Sequence, residues 1–241
     1  MSANCPAAPP EPQRGDAAAP GPPPGRAPDE LLARGVAGQA RLPASARALH
    51  RAVLTHFACR GGAPQAADLA AAARELGING AAALRVLAEV DLVHTRRDTG
   101  AVTVAYPFCG QPTAYRVRLG AGVQVWAMCA IDALGIPAML DTDAWISGVD
   151  PVTGGRVEVS VTAALVRPVP AHAVVVLPTG GGVGRCADCV CPDITFHRDA
   201  GSARVWLTGR GIAGRVLSVF DAAAAGAAVF GGLLRRAPRS D

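Results

Sequence analysis

The sequence predicts an α+β protein: an N-terminal winged-helix-like helical domain, then a mixed β-sheet domain with flanking helices. Three observations lead there. Between Ala46 and Val90, apolar side chains recur at helical spacing in three short runs, and a polar hairpin follows. From Tyr106 onward, short β-rich runs alternate with Gly and Pro turns, and an Ala-rich helix comes last. Half of the 241 residues are hydrophobic, enough for a sizeable core.

Residues 1–28 are Pro, Ala and Gly with scattered charge, and they read as a disordered tail in which Cys5 is incidental. Ala46–Cys59 carries Leu49, Val53, Leu54 and Phe57 on one face, and Gly61-Gly62 stops that helix. Gln65–Leu76 is a second helix and Ala81–Val90 a third, separated by the turn Gly77–Gly80. Val93–Arg96 and Val102–Tyr106 flank the turn Asp98-Thr99-Gly100 as a hairpin. The helix after the turn would be the DNA-reading element of a winged helix-turn-helix, but it is dominated by Ala and has Arg85 as its only cation. Arg96 and Arg97 in the wing could meet phosphates.

Farther on, Tyr115–Leu119 alternates as a strand, and Val125–Ile136 reads as a helix that Pro137 ends or kinks. Asp141–Gly148 reads as a connection. Val157–Ala163 alternates, Pro168 and Pro170 interrupt, and Ala173–Leu177 is a continuous apolar run that suits a central strand. The Gly-rich loop 180–184 lacks the Lys and Ser/Thr of a phosphate loop. Ile194–His197 and Val216–Phe220 read as strands, Ser202–Leu207 is ambiguous, and Asp221 suits the N-cap of the last helix.

The charge of +4 is mild, with every one of the 23 basic side chains an Arg, and does not by itself call for nucleic acid. The first residues carry Pro and acidic groups where a secretory leader has an apolar stretch, and no window is apolar enough to span a bilayer. A cytoplasmic location is therefore expected. Seven cysteines, an odd number, argue against a secreted disulfide framework and toward metal binding, catalysis or packing.

Two places concentrate reactive side chains. In Val125–Ile136, Cys129 stands three residues before Asp132, so that a helix would set thiol and carboxylate side by side in apolar surroundings. Cys186, Cys189 and Cys191 follow the Gly-rich loop. Structural zinc would want a second close ligand pair, which the sequence lacks. A thioredoxin-like site would place its Cys-x-x-Cys at the start of a helix, whereas this one precedes Pro192 and a strand. A third arrangement joins Cys129, Asp132 and one cluster thiol. Two thiolates trap a soft metal ion, and a carboxylate beside them can accept a thiol proton and hand it on. That combination suits cleavage of a carbon–metal bond.

Trp126-Ala127-Met128-Cys129-Ala130-Ile131-Asp132-Ala133-Leu134, followed by Ile136-Pro137-Ala138, closely resembles the catalytic helix of the organomercurial (alkylmercury) lyases. The resemblance continues through Ser147 and Thr153-Gly154, resumes at Cys191 five residues before Phe196, and runs through Trp206 and Gly211–Phe220. It implies residues 29–106 as a winged-helix-like N-terminal domain and residues 107–236 as the catalytic domain. It also implies that Cys129 attacks mercury, that Cys191 is the second thiolate, and that Asp132 carries the proton to carbon. Cys189 is the fallback for the second thiol. Hg²⁺ would be the bound product on Cys129, Cys191 and Asp132, with no resident cofactor. The implied partners are an organomercurial, low-molecular-weight thiols and a mercuric reductase, with neither nucleic acid nor membrane. The alternative is a thiol-based, mercury-responsive DNA-binding regulator. Two departures stand out: His197 follows Phe196 where the family often has a second aromatic, and Asp150 stands where some members carry another Cys.

Overall fold

The computed structural model describes residues 39–96, 98–179 and 185–234. The tail 1–28 with Cys5, Arg97, the Gly-rich loop 180–184 and residues 235–241 lie outside the described residues.

After residues 39–40, which are themselves helical, three helices follow: α1 (Ala44–Arg60), α2 (Ala66–Glu75) and α3 (Gly80–Glu89). Their ends obey local chemistry. Gly61 takes a left-handed φ of 77° and returns its N–H to the Phe57 carbonyl. Gln65 and Asp68 form a capping box, and the Asn79 side chain accepts the Ala82 N–H at 3.0 Å. Leu49, Val53, Leu54 and Phe57 are buried as expected, whereas Leu76 is 42% exposed. The hairpin of β1 (Val93–Thr95) and β2 (Val102–Ala105) follows in the expected order.

That hairpin is one end of a larger sheet. Strands β3 (Phe108–Cys109), β4 (Tyr115–Leu119), β5 (Gln124–Ala127), β6 (Ala144–Val149), β7 (Arg156–Val161) and β8 (Val166–Val169) complete the spatial order β1-β2-β3-β5-β4-β6-β7-β8. A second sheet has β9 (Val174–Pro178) between β10 (Phe196–His197) and β11 (Gly214–Ser218). The rings of Phe57 and Phe108 stack at 5.1 Å and fasten α1 to the large sheet.

The α+β class holds, but the sheet is not mixed: every strand pairing among the described residues is antiparallel. A crossover does occur between β10 and β11, through α6 (Ala200–Arg210). It places those two strands on opposite sides of β9, so neither is parallel to its own neighbour. Three further expectations give way. Asp141–Gly148 contains strand β6, whose residues alternate between buried and accessible positions. Pro168 sits inside β8, the outermost strand, where a missing N–H costs no ladder bond. Asp221 is not the N-cap of α7 (Val219–Phe230); Ser218 caps it, accepting the Asp221 N–H at 3.1 Å.

Helix α4 (Ala130–Leu140) is buried on nearly every side, between the large sheet and α7. Pro137 lies inside it and does not end it. The approach of α7 is very close. A Cβ on Gly226 would lie 2.7 Å from the Ile131 carbonyl oxygen and 2.8 Å from the Gly135 nitrogen. Only paired glycines let these backbones meet at that distance.

Candidate active site

The stretch around Cys129 is not a single helix. Gln124–Ala127 is strand β5, and Cys129 is the N-cap of α4, with extended backbone at φ −149° and ψ 179°. The alternation of Val125 and Ala127 into the core makes the strand, while the Ala-rich residues after Cys129 make the helix. The consequence is chemical. Cys129 and Asp132 are related as N-cap and third helical residue, and the Cys129 Sγ accepts the Asp132 backbone N–H at 3.4 Å. The sulfur thus sits at the positive end of a helix.

Cys191 reaches the same place from the other sheet. It opens a short 3₁₀ turn, Cys191–Asp193, just before β10. Two hydrogen bonds to one carbonyl hold this turn against α4 and β4: Ala130 N–H donates to Ile194 O at 3.1 Å, and Tyr115 Oη–H donates to it at 3.2 Å. The Cys129 Sγ, the Cys191 Sγ and an Asp132 carboxylate oxygen all lie within 4.8 Å of one another. The Cys191 Sγ is 4.0 Å from Asp132 Oδ2. All three residues are buried, at 2%, 3% and 5% exposure for Cys129, Cys191 and Asp132.

Burial sets the protonation. It pushes Asp132 up to about 7, against the opposing hydrogen bonding from Cys129. Burial also pushes the Cys129 thiol up to about 12, and the negative charge of Asp132 adds to the rise. The Cys191 thiol is raised by its hydrogen bonding to Cys129 and Cys186, by burial and by the same charges. Near neutrality, then, the thiols keep their protons while Asp132 is poised between its two forms. Such a carboxylate can take a proton and return it.

The other two cluster thiols differ. Cys186 and Cys189 lie on a one-turn helix, α5 (Cys186–Cys189). The half-buried Cys186 puts its Sγ 3.5 Å from that of Cys191, and its N–H donates to Asp91 Oδ2 at 2.8 Å. Cys189 turns its Sγ to the Arg185 carbonyl at 2.8 Å and takes no part in the group of Cys129, Asp132 and Cys191. Cys109 is also free, whereas Cys59, near the end of α1, is disulfide-bonded.

Two further buried groups are ones that the sequence alone does not place. Tyr106 is buried beside the site, and its hydroxyl has no hydrogen-bond partner among the described residues. Its pKa is raised by burial, then by the charges of Cys191, Cys186, Asp91 and Asp132. His197 ends strand β10 and is fully buried. Its Nε2 pairs with Thr195 Oγ1 at 2.8 Å and its Nδ1 with Ser202 Oγ at 3.1 Å. Asp150, also fully buried, accepts from Ser202 Oγ–H at 2.8 Å and from the N–H groups of Arg198, Val152 and Thr153. Burial works against the charge, but these donors hold the Asp150 carboxyl down to about 2. The long-range bonds of Asp150 to Arg198, just past β10, and to Ser202 in α6 had no sequence signal.

No helix among the described residues is long and apolar enough to cross a membrane. A family model described as alkylmercury lyase (MerB) matches residues 108–231. A solved structure, the mercury-bound form of MerB2, is similar at TM-score 0.72 and 21% identity, covering 86% of this chain and 99% of that one. Among curated proteins, none matches the sequence.

Proposed function

This chain belongs to the alkylmercury lyase family and is an organomercurial lyase, and from that premise we propose that it cleaves carbon–mercury bonds by protonolysis with Cys129, Asp132 and Cys191. The observation that carries the proposal is the convergence of two buried thiols and a buried carboxylate within 4.8 Å.

In this reading Asp132, as carboxylate, takes the Cys129 proton, and the thiolate bonds to the mercury of R–Hg–SR′. Cys191 adds as the second thiolate and displaces R′S⁻, which leaves as R′SH with the Cys191 proton. Protonated Asp132 then delivers its proton to carbon as the C–Hg bond breaks, giving RH. The products are the hydrocarbon and Hg²⁺ held by Cys129 and Cys191, with Asp132 adjacent. The mercury-bound state of the similar MerB2 structure accords with a mercury-holding site. Two soft sulfurs suit this ion, and the chemistry draws on no resident metal or organic cofactor.

Low-molecular-weight thiols deliver the substrate and, with a mercuric reductase, accept the ion, in a cytoplasmic setting. The three N-terminal helices and their hairpin, a winged-helix-like unit over residues 29–106, support and cover the catalytic domain of residues 107–236. In this reading they do not read DNA, and the pairing of Arg96 with Asp98 at 3.0 Å supports it.

The test is benzene or methane release from phenylmercury or methylmercury with excess thiol. Cys129→Ser, Asp132→Ala and Cys191→Ser should each lower turnover by about a thousandfold or more, whereas Cys189→Ser should stay within about twofold. Loss with Cys189→Ser but not Cys191→Ser would move the second thiol. A wild type that retains mercury yet releases no hydrocarbon would overturn the lyase mechanism.

A further inference from the structure

We propose that Cys186 is a product-relay thiol that takes Hg²⁺ out of the buried site; this rests on the lyase reading above. Cys129 and Cys191 are 2% and 3% exposed, so an external thiol has little direct access to an ion held between them. Mercury moves between sulfurs by addition of an incoming thiolate before an old bond breaks. The incoming sulfur must therefore already be within reach. Cys186 is the candidate on geometric grounds: its Sγ lies 3.5 Å from that of Cys191, and it is half-buried where the other two are enclosed.

Its position is also held in place. The Cys186 N–H donates to Asp91 Oδ2 at 2.8 Å, while Asp91 Oδ1 pairs with His94 Nε2 at 2.7 Å. A residue at the start of the hairpin thereby fixes a thiol nearly a hundred positions later in the chain. Nothing in the protonolysis requires a third thiol, yet the fold places one against the second.

The step balances without a change of oxidation state. The Cys186 sulfur bonds to Hg²⁺, the bond from Hg²⁺ to the Cys129 sulfur breaks, and the Cys186 proton passes to Cys129. The ion is then shared by Cys191 and Cys186. An external thiol entering from the accessible Cys186 side bonds to the ion as its bond to the Cys191 sulfur breaks and passes its proton to Cys191, and a second external thiol frees Cys186 in the same way. Cys129 and Asp132 are meanwhile free for the next substrate.

The experiment begins with mercuric chloride, one equivalent per chain, on the full-length protein. Iodoacetamide labelling read by peptide mass spectrometry should show Cys186 protected by mercury about tenfold or more, with Cys189 labelled as before. Transfer of the loaded ion to glutathione, followed by stopped flow, should slow about tenfold in Cys186→Ser and stay within about twofold in Cys189→Ser. Protection is measured on the wild type, so a misfolded variant cannot decide it. Labelling of Cys186 that ignores mercury, or equal transfer rates in wild type and Cys186→Ser, overturns the relay. Benzene release by the wild type is scored separately; its absence would strike the lyase mechanism, whereas the labelling result strikes only Cys186.

Discussion

Replacing Asp132 with Asn should stabilise the protein at alkaline pH while abolishing turnover. Asp132 is 5% exposed, and burial lifts its pKa from 3.8 to about 7. A carboxyl raised in the folded state holds its proton more tightly there than in the unfolded chain. Stability therefore falls as pH rises from the unfolded value to the folded one, and is flat outside that window. At about 1.4 kcal/mol per pH unit, the full penalty is about 4 kcal/mol. Between about pH 5 and about pH 8, the wild type should lose about 3 kcal/mol that the Asp132→Asn protein never loses. The buried amide has its own cost, about 1–3 kcal/mol for an unpartnered donor, but that cost does not vary with pH. The quantity to measure is thus the difference in urea-unfolding free energy between the two proteins at each pH, in which all other titrating groups cancel. Parallel profiles, separated by a constant, would refute the argument that burial holds this carboxyl near neutrality.

Other consequences are quicker to check. In the proposed mechanism the carboxylate form of Asp132 starts the reaction, so kcat/KM should fall about tenfold per unit as pH drops below about 7 and level off above it; a rate that rises on acidification would reverse the proton flow. Gly226→Ala should cost about 1–3 kcal/mol in unfolding free energy and lower hydrocarbon release, because the new methyl meets the Ile131 carbonyl next to Asp132. Tyr106→Phe removes a buried hydroxyl without a protein partner among the described residues and should raise stability by about 1 kcal/mol, read as a higher urea midpoint.

Much of this fold can be read from local pattern. Tyr115–Leu119 is a strand with the bounds its alternation predicts, and Leu49, Val53 and Phe57 mark a helix face that the core covers. Patterns failed where two local signals met. Val125–Leu134 has no breaker, yet the strand changes to helix at Cys129, because pairing with β4 and β3 outweighs helix propensity over Gln124–Ala127. The three candidate residues do converge, but Cys129 and Asp132 meet in a geometry other than the expected one: they are cap and third residue, not neighbours along a helix face. Cys191 was marked by its spacing to Phe196, a ring packed within 2.7 Å of where a side chain on Gly148 would begin. Cys186 could not be ranked from sequence, since its distance from Cys191 depends on a tether to Asp91.

The N-cap position of Cys129 gives the molecule a signal of its own occupancy. A cap is ordinarily a fixed part of a helix, but in the proposed mechanism it is the atom that bonds to mercury and releases it in each cycle. The N–H of Asp132 has the Cys129 sulfur as its acceptor. Each loading of the sulfur therefore alters the electron density that this amide meets, and each release restores it. The amide resonance and exchange rate of Asp132 should follow the enzyme through its states without any label, one residue reporting from both its backbone and its side chain.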